Sequence, residues 1–166
     1  WEKVIEINHW QQKRISKIFV EKLFGTITEK RIAIFGFAFK ANTNDTRESP
    51  SISICKDLLE EGARISIYDP KVTRKQIGIN LNMLESRSLS NESNGSWTFS
   101  KSTHEAAENA DAILVLTEWE EFKDLDFKNI SKIMRKPSWI FDTRSIINVE
   151  EAKLYGINVW NLGKGN

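Results

Sequence analysis

The fold turns on the reading of "RIAIFGFAFKANTNDTRESPSISICKDLLEEGARISIYDP" (31–70). Its first seven residues, "RIAIFGF" (31–37), form a short apolar run rich in β-branched side chains, the pattern of a strand buried on both faces. Ser49 followed by Pro50 has the chemistry of a helix N-cap and first helical position. Ile52, Cys55, Leu58 and Leu59 then mark the buried face of a helix that Gly62 closes. "ARISIYDP" (63–70) alternates apolar and polar residues and stops at Asp-Pro, as a strand ending in a turn does. Strand, glycine turn, helix, strand is the setting of a dinucleotide-binding unit. Yet this turn carries one glycine, Gly36, where the fingerprint has three. Lys40 stands where another glycine is expected, and the mixed-charge run "DTRE" (45–48) leads into the helix.

Outward from this unit the same alternation continues. Upstream, Ile15, Ile18, Phe19 and Leu23 recur at helical spacing, with the stem of Lys22 able to lie on the apolar face. Gly25 is positioned to cap that helix. Downstream, residues 71–96 read as irregular, with "ESRSLSNESNGS" (85–96) a polar, serine-rich surface loop. "WTFS" (97–100) predicts a short strand, "STHEAAENA" (102–110) a short helix and "DAILVLT" (111–117) a buried strand. "EEFKDLDFKNISKIM" (120–134) reads as helical, "SWIFDTR" (138–144) as a buried strand, "VEEAKLYG" (149–156) as a short helix and "INVWNLG" (157–163) as a last strand. The expectation is an α/β fold: a Rossmann-like, doubly wound, mostly parallel sheet of five to six strands with helices on both faces and right-handed crossovers. Residues 1–24 are expected to be part of a long connecting helix and 25–166 the α/β domain. No repeats are evident.

With 166 residues, 40% hydrophobic and a net charge of +1, the chain is long enough for a real core and carries no charge excess suited to nucleic acid or an acidic membrane surface. No apolar run reaches membrane length, and no signal peptide is evident. The default compartment is the cytoplasm. One cysteine excludes an internal disulfide and a cysteine-rich metal site. His9 and His104 have no ligand spacing, so no metal site is indicated. Cys55, mid-helix on an apolar face, reads as a buried structural thiol. The six tryptophans are expected to be core or interface anchors. The opening "WEKVIEINHWQQKRISKIF" reads like the middle of a longer protein, with a trimmed chain as the alternative.

Ligands of open α/β sheets bind beyond the carboxyl ends of the strands. The residues that follow the strands include Phe39 and Lys40, Asp69, Glu118 and Trp119, Thr143 and Arg144, and Gly163 and Lys164. Lys40, Arg47, Arg144 and Lys164 can converge on one edge, and cations gathered there suit a phosphate-bearing ligand. Each also has a plainer reading. Arg47 can pair with its neighbours Asp45 or Glu48, and Arg144 with Asp142. Asp69 could be the ribose-binding acid of a dinucleotide fold, but it lies too far past Gly36, so it reads as a turn-forming Asp-Pro. No catalytic constellation stands out.

"GFAFKANTNDTRESPSISI" (36–54) closely resembles the "GFAFK…DTRES" signature of the UDP-glucose 6-dehydrogenases, in the UDP-glucose/GDP-mannose dehydrogenase family. "INHWQQKR" (7–14), "IYDPKV" (67–72), "TEWEEFKDLDF" (117–127) and "FDTR" (141–144) agree in order, so the likeness runs from about Ile7 to Gly163. It is to the C-terminal, UDP-binding domain. The resemblance implies two Rossmann-type domains joined by a central helix, and oxidation of UDP-glucose to UDP-glucuronate with two NAD. It also implies an NAD site and a "GGSCF"-like cysteine segment in the other domain, which Cys55 does not match. By resemblance Phe39, Lys40 and Arg144 contact the UDP-sugar, and Arg47 reaches NAD across the interdomain cleft. The usual "DGR" reads "DTR" here, with Thr143 in place of the glycine. Residues 1–166 by themselves are then expected to be inactive, and the whole enzyme to be a homo-oligomer. The alternatives are an enzyme acting on UDP-N-acetyl-mannosamine or GDP-mannose, whose motifs tend toward "GLxFK" and "DLRES", and a non-catalytic nucleotide-binding or dimerisation module.

Overall fold

The computed structural model describes residues 2–23, 25–85 and 95–162. Helix α1 (Glu2–Lys22) leads into β1 (Arg31–Phe35), α2 (Pro50–Glu60), β2 (Arg64–Tyr68), α3 (Arg74–Leu81) and β3 (Ser96–Phe99). Then come α4 (Thr103–Ala107), β4 (Ala112–Val115), α5 (Phe127–Ile133), β5 (Trp139–Asp142), α6 (Val149–Leu154) and β6 (Asn158–Asn161). The six strands form one sheet in the order β3-β2-β1-β4-β5-β6. Every neighbouring pair is parallel. This is the doubly wound order whose direction of winding reverses between β1 and β4.

The strands form where expected because the central ones are continuous apolar runs. Ile113, Leu114 and Val115 of β4, and Ala33, Ile34 and Phe35 of β1, are completely buried. Such strands need helices on both faces. α1 supplies part of that cover: Ile15, Phe19 and Leu23 fall on one stripe and are buried, with the Phe19 ring edge-on to Phe141 of β5 at 4.3 Å between centroids. The Lys22 ammonium lies over Trp139 at 5.8 Å, its stem along the apolar face. The amide of Gly25, in a left-handed turn at φ 78°, donates to Val20 O and ends the helix. Trp97 and Trp119 are core residues and Trp139 and Trp160 pack partly buried against the core, but Trp10 is exposed. Trp1 lies outside the described residues.

Ser49 caps α2 as its position before Pro50 predicts, its hydroxyl accepting from Ser51 N. The buried face of α2 is Ile54, Cys55, Leu58 and Leu59, with Ile52 only partly covered. Two expectations need correction. Residues 71–96 are not all irregular. α3 forms because the Thr73 hydroxyl accepts from Gln76 N, Ile77 and Leu81 are buried, and Asn82 turns left-handed at φ 52° to end it. With Ile79 exposed and a glycine in the middle, its helical period is too weak to read in sequence. Nor is 120–134 one helix. A single 3-10 turn at Glu120–Phe122 stops, and Asp126 caps a new helix by accepting from Asn129 N. The serine-rich loop falls largely on residues 86–94, outside the described residues.

Candidate functional site

Gly36 is the hinge of the site. It adopts φ 93°, and an added Cβ would stand 2.4 Å from the Thr117 Cβ, so strand β1 can pass close to the end of β4 only with glycine here. From this point the backbone is hydrogen-bonded at every polar group up to Phe39. Gly36 N donates to Tyr68 O at 2.8 Å, and Gly36 O accepts from the Ser51 hydroxyl at 3.4 Å. Phe37 N and Ala38 N both donate to the Asp69 carboxylate, at 2.7 and 3.0 Å. Phe37 O accepts from Ser49 Oγ at 2.9 Å, Ala38 O from Thr117 Oγ1 at 2.8 Å, and Phe39 N donates to Asp45 O at 2.8 Å.

In a dinucleotide-binding turn these amides point at a pyrophosphate. Here an internal carboxylate takes them. Asp69 ends β2, is 3% exposed, and also accepts from Lys71 N, Val72 N and the Trp119 indole N–H. The turn-forming reading of Asp69 therefore holds, and the carboxylate serves the β1 turn as well. Only knowledge of the strand order, which puts β2 beside β1, makes that second role visible.

Beyond the turn, a cleft of about 490 Å³ opens at the carboxyl ends of β1, β4, β5 and β6, at the reversal of winding. Phe39 and Lys40 line it from the loop after β1, and Thr143 and Arg144 from the loop after β5. Leu116 and Glu118 line it from the end of β4, Glu48 from the loop before α2, and Pro50 and Ile54 from α2 itself. Pro50 and Ile54 were not foreseen, because they lie on a helix rather than after a strand end. Phe39 is 47% exposed, a large apolar ring left uncovered at the mouth.

Arg144 is held from the protein side. Its Nε donates to Leu116 O at 2.8 Å and stands 3.3 Å from Glu118 Oε2. The Nε hydrogen serves the carbonyl, so the Glu118 contact is an ion pair, and Glu118 Oε2 is buried without a hydrogen-bond partner of its own. The plainer reading of Arg144 paired it with Asp142, but Asp142 binds the loop backbone, accepting from Arg144 N at 2.9 Å and Ile147 N at 2.8 Å. The Thr143 hydroxyl donates to Val115 O at 2.7 Å, and the left-handed residue of this loop is Ser145. Threonine therefore fits where the family motif has glycine.

Of the four cations expected to converge, Lys40 and Arg144 line the cleft. Arg47 lies outside the lining of the cleft, its guanidinium forked onto Asp45 with the closest contact 2.7 Å and its side chain 88% exposed. That hydrogen bond holds the Asp45 carboxyl down to about 2. Lys164 lies outside the described residues. Cys55 is fully buried and burial pushes its thiol well up, so it is no nucleophile. Among the described residues no cluster of His, Cys, Asp or Glu could hold a metal ion, and no helix is long and apolar enough to cross a membrane.

Residues 33–149 match the model of the UDP-glucose/GDP-mannose dehydrogenase family, UDP binding domain. The chain is 43% identical to UDP-glucose 6-dehydrogenase of Drosophila melanogaster over 99% of this chain and 34% of that protein. It is 41% identical to UDP-glucose 6-dehydrogenase 2 of Arabidopsis thaliana, over 99% of this chain and 36% of that protein. It therefore spans about a third of the length of these relatives. Among solved structures, the UDP-glucose dehydrogenase of Pyrobaculum islandicum shares the fold with a TM-score of 0.71 at 21% identity, over 96% of this chain and 31% of that one. The glycine turn, the six parallel strands and these likenesses agree: the chain belongs to the UDP-glucose/GDP-mannose dehydrogenase family and comprises its UDP-binding domain.

Proposed function

We propose that this chain is the UDP-sugar-binding part of a UDP-glucose 6-dehydrogenase, an enzyme that oxidises UDP-glucose to UDP-glucuronate with two NAD. The observation that carries the reading is that Lys40 and Arg144, from two different strand ends, line one cleft at the reversal of winding. Two cations on separate strand ends suit a diphosphate, and the exposed Phe39 ring offers a stacking face for a base or an apolar edge for a sugar. Arg144 presents the terminal nitrogens of its guanidinium to the ligand, because its Nε edge is already occupied. Identities above 40% to UDP-glucose enzymes favour glucose over N-acetyl-mannosamine or GDP-mannose as the sugar.

NAD does not fit the β1 turn of this domain, since no backbone amide from Gly36 to Phe39 is free for its pyrophosphate. NAD supplies hydride acceptance in such an enzyme, held mainly by another domain. Arg47, exposed at the rim, is the residue here that would reach it. α1 is read as part of the central connecting helix (1–24), and Ile7 and Trp10, both more than half exposed, as contacts of a homo-oligomer. The compartment that fits is the cytoplasm.

The test is calorimetry with UDP-glucose. Lys40→Ala and Arg144→Ala are each expected to weaken binding by about 1.5–3 kcal/mol, the cost of one charge-assisted contact. Circular dichroism must show both variants folded. Unchanged affinity in both would sink the assignment.

A further inference from the structure

We infer that Asp69 is a positioning residue for nucleotide-sugar binding, acting through the Phe37–Ala38 backbone that presents Phe39 and Lys40; the inference rests on the proposed UDP-sugar site.

Asp69 is not among the residues that line the cleft. Its carboxylate is nevertheless surrounded by five donors: the amides of Phe37, Ala38, Lys71 and Val72 and the indole N–H of Trp119. One oxygen serves the β1 turn and the indole, the other the β2 turn. A carboxylate can satisfy all five because it only accepts. An amide of the same shape cannot, since its NH₂ would face donors on one side or the other. The opposite edge of the same peptide pair is held by Thr117, whose buried hydroxyl donates to Ala38 O. Ala38 is thus held at N–H by β2 and at C=O by the end of β4, one residue before the exposed Phe39 and two before Lys40. The internal anion replaces the external phosphate of a dinucleotide turn. Ligand phosphates must then be met by side chains, and the aim of those side chains is set by Asp69 and Thr117.

The test titrates UDP into the 166-residue chain and its variants, with melting temperature and circular dichroism alongside and the amide resonances of Phe37 and Ala38 followed by NMR. Asp69→Asn is expected to shift those two resonances and to weaken UDP binding at least about tenfold, as a misaimed contact does. Thr117→Val is expected to weaken binding in the same way, and Thr117→Ser, which keeps the hydroxyl, to restore it. If wild type binds UDP and Lys40→Ala weakens it, but folded Asp69→Asn binds within about twofold of wild type, the positioning role is overturned and the site stands. If wild type takes up no UDP, the site reading fails and this inference with it. Should Asp69→Asn not fold, the Thr117 pair decides: equal affinity in Thr117→Val and Thr117→Ser overturns the inference.

Discussion

Arg47, on the loop before α2, and Arg144, on the loop after β5, can be told apart by what their nitrogens touch. Arg144 spends Nε on a main-chain carbonyl and lines the cleft. Arg47 spends Nε and one terminal nitrogen on Asp45 at an open surface. The Asp45 carboxyl, held down to about 2 by that contact, stays ionised, so the pair persists from neutral pH down to about that value. A pair so exposed is screened by water and salt and adds little to folding. Arg47→Ala is therefore expected to leave the melting temperature and the UDP affinity of this chain unchanged. In the whole enzyme the same change is expected to raise the Michaelis constant for NAD more than that for UDP-glucose. Steady-state kinetics with each substrate varied in turn checks this, and equal changes in both constants would leave Arg47 with the surface pair alone.

At the scale of elements, the contact between β1 and β4 is the tightest point of the site. Gly36→Ala puts a Cβ into Thr117, including its backbone nitrogen at 2.8 Å, at a φ that an L side chain resists. Strain and overpacking together are expected to cost about 2–4 kcal/mol, read as a lower midpoint of chemical denaturation. The elements themselves were largely legible. β1, β2, β4, β5 and β6, and the caps at Ser49 and Gly25, follow from local signals: apolar runs, Asp-Pro, Ser-Pro and glycine. α3 was hidden because only Ile77 and Leu81 face the core, and the break at Asp126 because Leu125 and Phe127 are both buried and keep the apolar pattern going. That Lys40 and Arg144 come to one cleft could be read from their places after strands. The roles of Asp69 and Thr117 could not, because both act through main-chain atoms, and no sequence pattern reports which amide a carboxylate will meet.

The molecule as a whole is tied across its sheet at the same reversal of winding. Tyr68, at the end of β2, donates its hydroxyl to Glu121 at 3.0 Å and sets its ring against Phe122, which also packs on Phe35. Burial, with Glu121 adding to it, pushes the Tyr68 phenol up to about 12. An unfolded chain ionises its tyrosine near 10, so between these values the folded state holds the extra proton. The contribution is fully present below about pH 10 and is lost as pH rises toward about 12. Denaturation midpoints measured at several pH values across that window are expected to fall less steeply for Tyr68→Phe than for wild type. The same sheet order has a consequence for biosynthesis. Arg31 at the foot of β1 hydrogen-bonds Asp111 at the foot of β4, 80 residues further on. At synthesis rates of about 5–20 residues per second, β4 leaves the ribosome roughly 4–16 s after β1. For those seconds Ile32, Ile34 and Phe35 sit on an open strand edge beside an unfinished chain, which is the kind of surface that chaperones shield. The amount of this domain that a cell recovers is therefore expected to depend on what guards its first strand during translation.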